Sequence, residues 1–304
     1  MNSINITSQN NTQFFYTPNI FDYFELMKPR VMSLVIFTTI AGMYLAPIHI
    51  HPVLGLFSII AIALGAGSAG AINQWIDKDI DKIMFRTKNR PIPSGRVDPA
   101  EALTFSLVVS LISIILLGLA SNWFAASLLF FTIIFYAVFY SILLKRKTPQ
   151  NIVIGGAAGS FPPVIGWVAM TGDITLFPFI MFMVIFLWTP PHFWALALVK
   201  SEDYRKAKIP MMPNVVGETS TKNQMFIYSV LLFFSSVTPY VLGYSGLLYF
   251  VCALSLSFIF ITLSLALILI PKKKLEMPLF GYSIFYLFGI FISLVFDKLY
   301  YSAY

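Results

Sequence analysis

Residues 52–72 read PVLGLFSIIAIALGAGSAGAI, a run of apolar and small residues without a charged side chain. A helix of about 20 residues crosses the ~30 Å hydrocarbon core of a bilayer, so this run is long enough to span a membrane. Lipid offers no partners for backbone N–H and C=O groups, and the run lacks the alternation of a barrel strand. The stretch therefore predicts a transmembrane α-helix.

Apolar runs of similar length recur along the whole chain. The eight further spans cover about residues 31–48, 103–120, 123–144, 151–170, 175–198, 224–243, 246–270 and 278–297. The composition agrees, because 58% of residues are hydrophobic and 11% are charged, whereas about a quarter are charged in a soluble domain. We therefore predict an all-α, polytopic membrane protein with about nine transmembrane helices around a central cavity that opens to the cytoplasmic side.

The chain before the first span is polar. Residues 1–19 are rich in Asn, Ser and Thr and resemble neither a signal peptide nor a transit peptide. We predict that residues 1–27 form a flexible cytoplasmic tail and that residues 28–304 form a single transmembrane domain. The lack of a transit peptide favours a bacterial-type inner membrane. The one cysteine, Cys252, excludes an intramolecular disulfide and argues against a Cys-based metal site.

The positive charges follow a topological pattern. If the spans alternate in direction, all Lys and Arg residues except Lys298 lie at the N-terminus or in the connections after spans two, four, six and eight. Basic residues accumulate on the cytoplasmic side of membrane proteins, so we predict that the N-terminus and these connections are cytoplasmic. We interpret the net charge of +7 mainly as a signal of this membrane topology. Without a soluble basic module, it does not indicate nucleic-acid binding.

The first long cytoplasmic connection, about residues 73–102, carries the most informative motif. It begins NQWIDKDIDK, in which Asn73, Asp77 and Asp81 recur every four residues. On a helix this spacing places the three side chains, which we call the acidic ladder, on one face. Two carboxylates and an amide suit Mg²⁺, which prefers oxygen ligands and completes its shell with water and substrate phosphates. The ladder therefore predicts a Mg²⁺ site and a diphosphate substrate.

Basic residues follow the acidic ladder in the stretch RTKNRP (86–91). Arg86, Lys88 and Arg90 could hold phosphate oxygens through charge-assisted, partly bidentate hydrogen bonds. The alternative is a solvated helix end at the membrane interface, where acidic and basic side chains simply pair with one another. Acidic residues at a membrane helix end beside a basic run favour the functional interpretation.

The second long connection, about residues 199–223, follows a span that contains WTPPHFW (188–194). Its two adjacent prolines predict a kink in that helix. His192 lies within the span, where an ionisable side chain is costly and faces a cavity or a partner. It could ligate a metal or haem iron, move a proton, or pack through a hydrogen bond. Asp203 could complete the metal site or be a solvated loop acid.

Together these motifs resemble the UbiA-type intramembrane prenyltransferases, whose hallmark is an Asn or Asp followed at four-residue steps by two aspartates and, later, a second Asp-rich connection. Within this superfamily the chain is most similar to the members that farnesylate haem. The similarity covers nearly all of the chain through RTKNRP (86–91), PHFW (191–194), and DY (203–204) leading into IPM (209–211). One departure concerns the second motif, where many relatives have another aspartate and this chain has Ala207.

The resemblance implies transfer of a farnesyl group from farnesyl diphosphate to the 2-vinyl group of haem b, with addition of water, giving haem O. The acidic ladder and Asp203 would hold Mg²⁺, and Arg86 and Arg90 would act with the ladder in catalysis. The implied substrate contacts are Lys88, His192, Asp203 and Tyr204, with His192 orienting the haem. The product would pass to a haem A synthase or to the assembly of a terminal oxidase.

Two other functions remain open from the sequence. A prenyltransferase for an aromatic acid or a quinone precursor would share the acidic ladder and the helix count but would not need the PHFW segment. A secondary transporter would show paired repeats and helices broken at mid-membrane depth. No inverted repeat is evident, and the acidic residues gather at the cytoplasmic helix ends. A non-catalytic subunit would leave the ladder unexplained.

Overall fold

The computed structural model describes residues 17–270 and 274–302. Within these residues the chain forms fourteen α-helices, one π-helical segment (Phe135–Leu144) and no strand, which confirms the all-α prediction. The α-helices are α1 (Ile20–Leu26), α2 (Pro29–Leu45), α3 (Pro52–Ile76), α4 (Lys78–Ile83), α5 (Pro99–Ala120), α6 (Trp123–Ile134), α7 (Asn151–Ser160), α8 (Pro162–Thr171), α9 (Leu176–Val199), α10 (Ser201–Lys206), α11 (Met212–Val216), α12 (Glu218–Val241), α13 (Leu247–Leu269) and α14 (Glu276–Ser302).

Eight stretches of the described residues are long and apolar enough to cross a bilayer. Six are single helices, and two are continuous pairs, namely α6 with the π-helical segment and α7 with α8. The helix α2 has 17 residues and reaches the length of a span only together with α1, from which it is bent by 60°. Counting that pair gives the nine spans that the sequence predicts. The polytopic membrane fold is confirmed.

The helix α1 occupies part of the segment predicted to be a flexible tail. A capping box orders its first turn. Arg96, from the connection after α4, pairs with Asp22 of α1, and Gln74 Nε2 donates to the carbonyl oxygen of Leu26 at 2.9 Å. The prediction of a flexible tail was therefore wrong for α1, because a local cap and contacts distant in sequence hold it. The rest of the predicted tail, residues 1–16, lies outside the described residues.

Polar contacts place the basic connections at one end of the bundle. Each contact joins one connection, or α1, to a neighbouring connection. The contacts are Arg96 with Asp22, Arg146 with Asp79, Asn151 with the carbonyl oxygen of Pro210, and Lys222 with Glu276. We call this end the basic end. The alternation of spans inferred from the charges is thereby confirmed, while the cytoplasmic orientation of the basic end stays a prediction.

Lys298, the exception to the charge pattern, has a structural role at the opposite end. Its Nζ donates to the carbonyl oxygens of Tyr44 and Ala46, both at 2.9 Å, at the C-terminal end of α2. A cation at this position also suits the helix dipole. Its neighbour Asp297 is buried and accepts the N–H of Tyr249 in the first turn of α13 at 3.1 Å. The end of α14 therefore ties α2 and α13 together.

Direct backbone contact between α2 and α8 holds the C-terminal half of α2. A Cβ added to Gly42 would lie 2.1 Å from the carbonyl oxygen of Pro163, and one added to Gly166 would lie 2.4 Å from that of Thr39. Small residues permit such close approach in membrane bundles. The helix α2 also packs against α3 and α14. At the other end of α2, Lys28 Nζ donates to Asn73 Oδ1 at 2.6 Å, so the start of α2 lies beside the end of α3, where the acidic ladder begins.

The helix α9 contains Pro190 and Pro191 but continues as one helix to Val199. Each proline lacks an N–H group and so leaves a carbonyl of the preceding turn without its usual donor. The proline pair nevertheless does not break the helix, and the segment that follows it packs against α14.

Candidate active site

The acidic ladder forms at the junction of α3 and α4. Asp77 ends α3 and precedes α4, and the i→i−4 hydrogen-bond pattern continues through it. The N–H of Asp77 donates to the carbonyl oxygen of Asn73 at 3.0 Å, and the N–H of Asp81 donates to the carbonyl oxygen of Asp77 at 2.8 Å. The three residues are 3%, 0% and 1% exposed in chain order. The four-residue spacing therefore produces one buried polar stripe at the basic end.

Two lysines contact the ladder from other helices. Lys28 Nζ donates to Asn73 Oδ1 at 2.6 Å, and Lys145 Nζ lies 2.5 Å from Asp77 Oδ2. Asn73 Nδ2 donates to Asp77 Oδ2 at 2.9 Å and to Ser141 Oγ at 2.8 Å. The second carboxylate oxygen of Asp77, Oδ1, is buried and has no hydrogen-bond partner. A buried, partnerless oxygen beside two ammonium groups marks a place where a further positive ligand would be stabilised.

Asp81 is held by the connection that follows it. Arg90 Nη1 lies 2.6 Å from Asp81 Oδ2, with the arginine side chain 22% exposed and the aspartate side chain 2% exposed. The hydroxyl of Thr87 donates to the carbonyl oxygen of Asp81 at 3.2 Å. Arg90 therefore bridges the ladder and the solvent, which suits a residue that meets a charged ligand at the mouth of a site.

The π-helical segment Phe135–Leu144 turns polar side chains toward the ladder. In a π-helix the N–H of residue i+5 bonds the carbonyl of residue i, as the N–H of Lys145 does with Tyr140 at 2.8 Å. The wider turn lets residues five apart share one face. Tyr136, Ser141 and Lys145 consequently lie beside the ladder together, which a regular α-helix would not permit.

Two tyrosines form an aromatic wall next to the lysines. The rings of Tyr136 and Tyr140 stack with their centroids 5.3 Å apart, and Lys28 Nζ lies 5.8 Å from the centroid of Tyr136. The ring of Tyr140 rests on Gly155, where an added Cβ would come within 2.2 Å of it. Aromatic faces attract cations. The wall can therefore stabilise positive charge close to the acidic ladder.

Lys28 joins α1 to α2 in an unusual backbone conformation. Its φ is 55°, a left-handed value that costs energy for a residue other than glycine and persists where the surroundings impose it. Arg90 and Lys145 lie near Lys28 and repel its charge, so an anion bound beside these three cations would offset that repulsion.

The predicted phosphate-binding residues differ in their placement. Arg90 contacts the ladder, and Arg86 is exposed and lies near the tyrosine pair of the aromatic wall. Lys88 is exposed and lies over the ring of Phe85, 4.7 Å from its centroid. The structure thus places Arg90 against the ladder and leaves both Arg86 and Lys88 exposed.

The second connection contributes a buried tyrosine. Tyr204 is 9% exposed and lies near Tyr140 of the aromatic wall. Asp203 is half-buried in α10. Within residues 17–270 and 274–302, no three His, Cys, Asp or Glu side chains are grouped closely enough to hold a metal ion. Asp203 therefore does not form such a group with the two aspartates of the ladder.

His192 packs between α9 and α14. Its ring stacks on Trp188 and Phe280, with centroids 4.2 Å and 4.6 Å away, and Phe193 meets it edge-on. Its Nδ1 lies 2.6 Å from Ser283 Oγ. The histidine is 8% exposed. It is therefore a rigidly held side chain inside the membrane part of the bundle.

The sequence analysis missed Lys28, Lys145, Ser141 and the tyrosine pair. Lys145 belongs to a stretch that reads as a short charged turn, and its ladder contact joins residues 68 positions apart. Neither residue type nor spacing reveals the π-helical segment that places these side chains. The one available signal is the position of Lys28 at the start of the first span, where a basic residue would meet the other polar helix ends.

The residues present fit a divalent cation. Asp77 Oδ1 is buried and partnerless, and an amide oxygen such as Asn73 Oδ1 has two lone pairs, so it can keep its Lys28 contact and still act as a ligand. The oxygen donor set is the one that Mg²⁺ prefers. Nearby cations provide complementary charge for phosphate oxygens.

Comparison with known proteins gives the same picture. The model of the UbiA prenyltransferase family matches residues 35–294. A protein named protoheme IX farnesyltransferase from Rhizobium johnstonii is 56% identical over 91% of this chain and 89% of its own length. A protein of the same name from Agrobacterium fabrum is also 56% identical, over 91% of this chain and 88% of its own length.

Solved structures with the same fold are more distant in sequence. A digeranylgeranylglyceryl phosphate synthase superposes with a TM-score of 0.76 at 19% identity, over 91% of this chain and 97% of the other. A UbiA homologue from Archaeoglobus fulgidus, bound to GPP and Mg²⁺, gives a TM-score of 0.63 at 17% identity, over 90% of this chain and 99% of the other. The chain therefore belongs to the UbiA prenyltransferase family and, within it, to the protohaem IX farnesyltransferases.

Proposed function

We propose that this protein transfers the farnesyl group of farnesyl diphosphate to the 2-vinyl group of haem b, with addition of water, giving haem O and diphosphate. The names of its 56% identical relatives support this assignment. The observation that carries it in the structure is the buried, partnerless Asp77 Oδ1 inside a cluster of cations. That arrangement suits a metal ion and a diphosphate at one site.

Mg²⁺ would be held by Asn73, Asp77 and Asp81. The Archaeoglobus fulgidus homologue with the same fold was solved with GPP and Mg²⁺, which supports this choice of ion. When bound, the ion neutralises negative charge on the diphosphate. Asp203 remains a candidate further ligand from the second connection.

Basic side chains of this chain would bind the diphosphate. A lysine ammonium has three donors, so Lys28 and Lys145 can keep their ladder contacts and donate to phosphate oxygens as well. Arg90 and Arg86 would reach the outer phosphate from the connection after α4. These donors stabilise the charge that develops as the C–O bond breaks and its electron pair moves to the diphosphate.

The farnesyl carbon left behind is an allylic cation. Tyr136 and Tyr140 would stabilise it through their ring faces, and the surrounding hydrocarbon would keep water away from it. The electron pair of the haem vinyl group then forms the new C–C bond. Water adds to the vinyl carbon beside the pyrrole and loses a proton, which leaves the hydroxyl group of haem O.

The remaining roles concern the acceptor and the surroundings. His192 would orient the haem, and Tyr204 and Lys88 would contact the substrates at the basic end. That end would face the cytoplasm of a bacterial-type inner membrane, with the central cavity open to it. Haem O would then pass to a haem A synthase or to the assembly of a terminal oxidase.

The test uses the purified full-length protein in detergent with haem b, farnesyl diphosphate and Mg²⁺. Haem O and diphosphate are quantified by mass spectrometry. Asp77→Ala should lose at least 10²-fold in rate, because it removes a ladder carboxylate, a scale typical of deleting one preorganised charged group. Asp79→Ala is the matched control, since Asp79 is 61% exposed and pairs with Arg146 at the surface. It should retain most of the activity.

Three outcomes would contradict parts of the proposal. Equal loss in both aspartate variants would mean that the ladder has no special role. Prenylation of an aromatic acid with haem untouched would leave the prenyltransferase chemistry standing and refute the acceptor. No diphosphate release from any prenyl donor would refute the catalytic assignment itself.

A further inference from the structure

His192 takes part in a chain of hydrogen bonds with Ser283 and Phe280. Packing against a flat haem ring would not by itself require these bonds. Its Nδ1 lies 2.6 Å from Ser283 Oγ, and Ser283 Oγ itself donates to the carbonyl oxygen of Phe280 at 2.6 Å. A serine hydroxyl has a single proton. The two contacts are hydrogen bonds at the same time only in the tautomer in which Nδ1 donates to Ser283 Oγ and Ser283 Oγ donates to Phe280.

In that tautomer the other ring nitrogen, Nε2, has a free lone pair. In a neutral imidazole with its proton on Nδ1, Nε2 is an acceptor or a metal ligand. Among the described residues Nε2 has no hydrogen-bond partner, and it does not belong to the buried polar atoms that are sealed off without one. Among the residues that the structure describes, no acidic side chain pairs with the ring.

The position of the ring is fixed on both faces. Trp188 and Phe280 stack on it with interplanar angles of 18° and 22°, and Trp188 Nε1 donates to the main-chain oxygen of Ser283 at 2.6 Å. The ring cannot tilt without losing these contacts. Metal-binding histidines typically donate their second N–H to an oxygen that fixes the tautomer and the ring orientation.

The depth of the site suits a porphyrin. His192 lies seven residues before Val199, the last residue of α9, and Ser283 lies seven residues after Glu276, the first of α14. At 1.5 Å per residue both sit about 10 Å below the basic end. A porphyrin at this depth keeps its apolar ring in hydrocarbon and its carboxylates near the polar helix ends.

We infer that His192 binds the iron of the porphyrin substrate through Nε2, and that Ser283 is a positioning residue that fixes the tautomer for this bond. The inference rests on the proposed function, since it concerns the acceptor of that reaction. Iron ligation would hold the porphyrin in the membrane at a fixed height and orientation. Vinyl transfer itself requires no change at the iron.

The first experiment is spectroscopic. Full-length protein with bound haem b is reduced, treated with nitric oxide and examined by electron paramagnetic resonance. We expect a six-coordinate species with nitrogen hyperfine structure from imidazole, lost in His192→Ala and restored by added imidazole. A five-coordinate spectrum in the unaltered protein, or an unchanged spectrum in His192→Ala, would overturn the inference.

The second experiment separates positioning from packing. Ser283→Ala should weaken binding of iron haem by about 10-fold, as loss of the partner of a metal-bound histidine does, and Ser283→Thr should restore it. Iron-free protoporphyrin IX should bind equally well to both variants and to the unaltered protein. Ser293→Ala is the matched control, because Ser293 is buried in α14 and donates to its own helix at Ile290. Equal loss for both porphyrins would overturn the role of Ser283.

The same samples are assayed for haem O formation. If haem O forms while the imidazole signature is absent, ligation is refuted and the proposed reaction stands. If haem is neither bound nor farnesylated, the proposed function fails first and ligation fails with it.

Discussion

The ion pair between Lys145 and Asp77 permits a test that separates charge needed for stability from charge needed for chemistry. Asp77 is fully buried, and the Lys145 side chain is 15% exposed. Removing one partner of a buried pair leaves an uncompensated charge and costs about 3–5 kcal/mol. We therefore expect Lys145→Met and Asp77→Asn each to lower the apparent melting temperature, by roughly 6–20 °C at about 2–4 °C per kcal/mol.

The double variant Lys145→Met/Asp77→Asn should behave differently in the two assays. With both charges gone, no buried charge is left unpaired, and the melting temperature should recover most of the loss. Activity should stay at least 10²-fold down, because both a ladder carboxylate and a diphosphate donor are missing. Melting is followed by intrinsic fluorescence in detergent at one scan rate, and activity by diphosphate release.

The matched control is the neighbouring pair of Arg146 and Asp79. Hydrogen bonds from Arg146 lower the pKa of Asp79, so the pair is formed, yet the two side chains are 39% and 61% exposed. Exposed pairs contribute about 0–1 kcal/mol. Arg146→Met should therefore change melting by no more than a few degrees and leave activity intact. Full activity in the Lys145/Asp77 double variant would refute our reasoning, since the pair would then serve stability alone.

Three further predictions concern other contacts. Lys298→Met should cost about 1–3 kcal/mol by thermal melting, because two carbonyls at the end of α2 lose a charged donor; activity per folded molecule should not change. Gly155→Ala should lower diphosphate release about 10-fold or more, since the new methyl group displaces Tyr140 from the aromatic wall; an unchanged rate would remove that wall from the mechanism. Arg96→Ala should expose α1 to limited proteolysis. Equal cleavage of the variant and the unaltered protein would show that the ion pair between Arg96 and Asp22 does not hold α1 in place.

The spans and the acidic ladder could be predicted because both depend on local sequence. A span needs a run of apolar residues, which is visible without any partner. The ladder needs a four-residue spacing that survives as long as the helix continues, and the i→i−4 pattern does continue through Asp77. The same logic explains why the charge pattern gave the correct alternation of helices. The exception, Lys298, is a capping residue whose partners are far away in sequence.

The rest of the site depends on tertiary structure. Lys145 reaches Asp77 because the segment before it is π-helical, and an apolar stretch such as FYAVFYSILL gives no sign of that widening. Lys28 reaches Asn73 because α1 turns by 60° into α2 and α2 packs against α3. In both cases the ladder partner lies more than 40 residues away. Local spacing cannot reveal such pairs.

The helix α1 was a different kind of miss, because a local signal existed. Asn19 and Asp22 have the spacing of a capping box, which indicates a helix start. The polar composition of the preceding residues outweighed that signal in the prediction. Buried partners then complete the helix, since Gln74 bonds its last turn and Arg96 its first.

The charges at the ladder bear on how many metal ions the site takes. Among the side chains in direct contact with the ladder, the three cations Lys28, Lys145 and Arg90 face two carboxylates, which leaves one net positive charge. One divalent cation raises this to three, which matches the roughly three negative charges of a prenyl diphosphate at neutral pH. A second divalent ion would leave an excess of positive charge. Among the described residues no further cluster of carboxylates is present to offset it, and the second motif has Ala207 where many relatives have an aspartate. We therefore expect metal titration with the diphosphate present to saturate at one ion per chain; a clear stoichiometry of two would mean that Asp203 moves into the site.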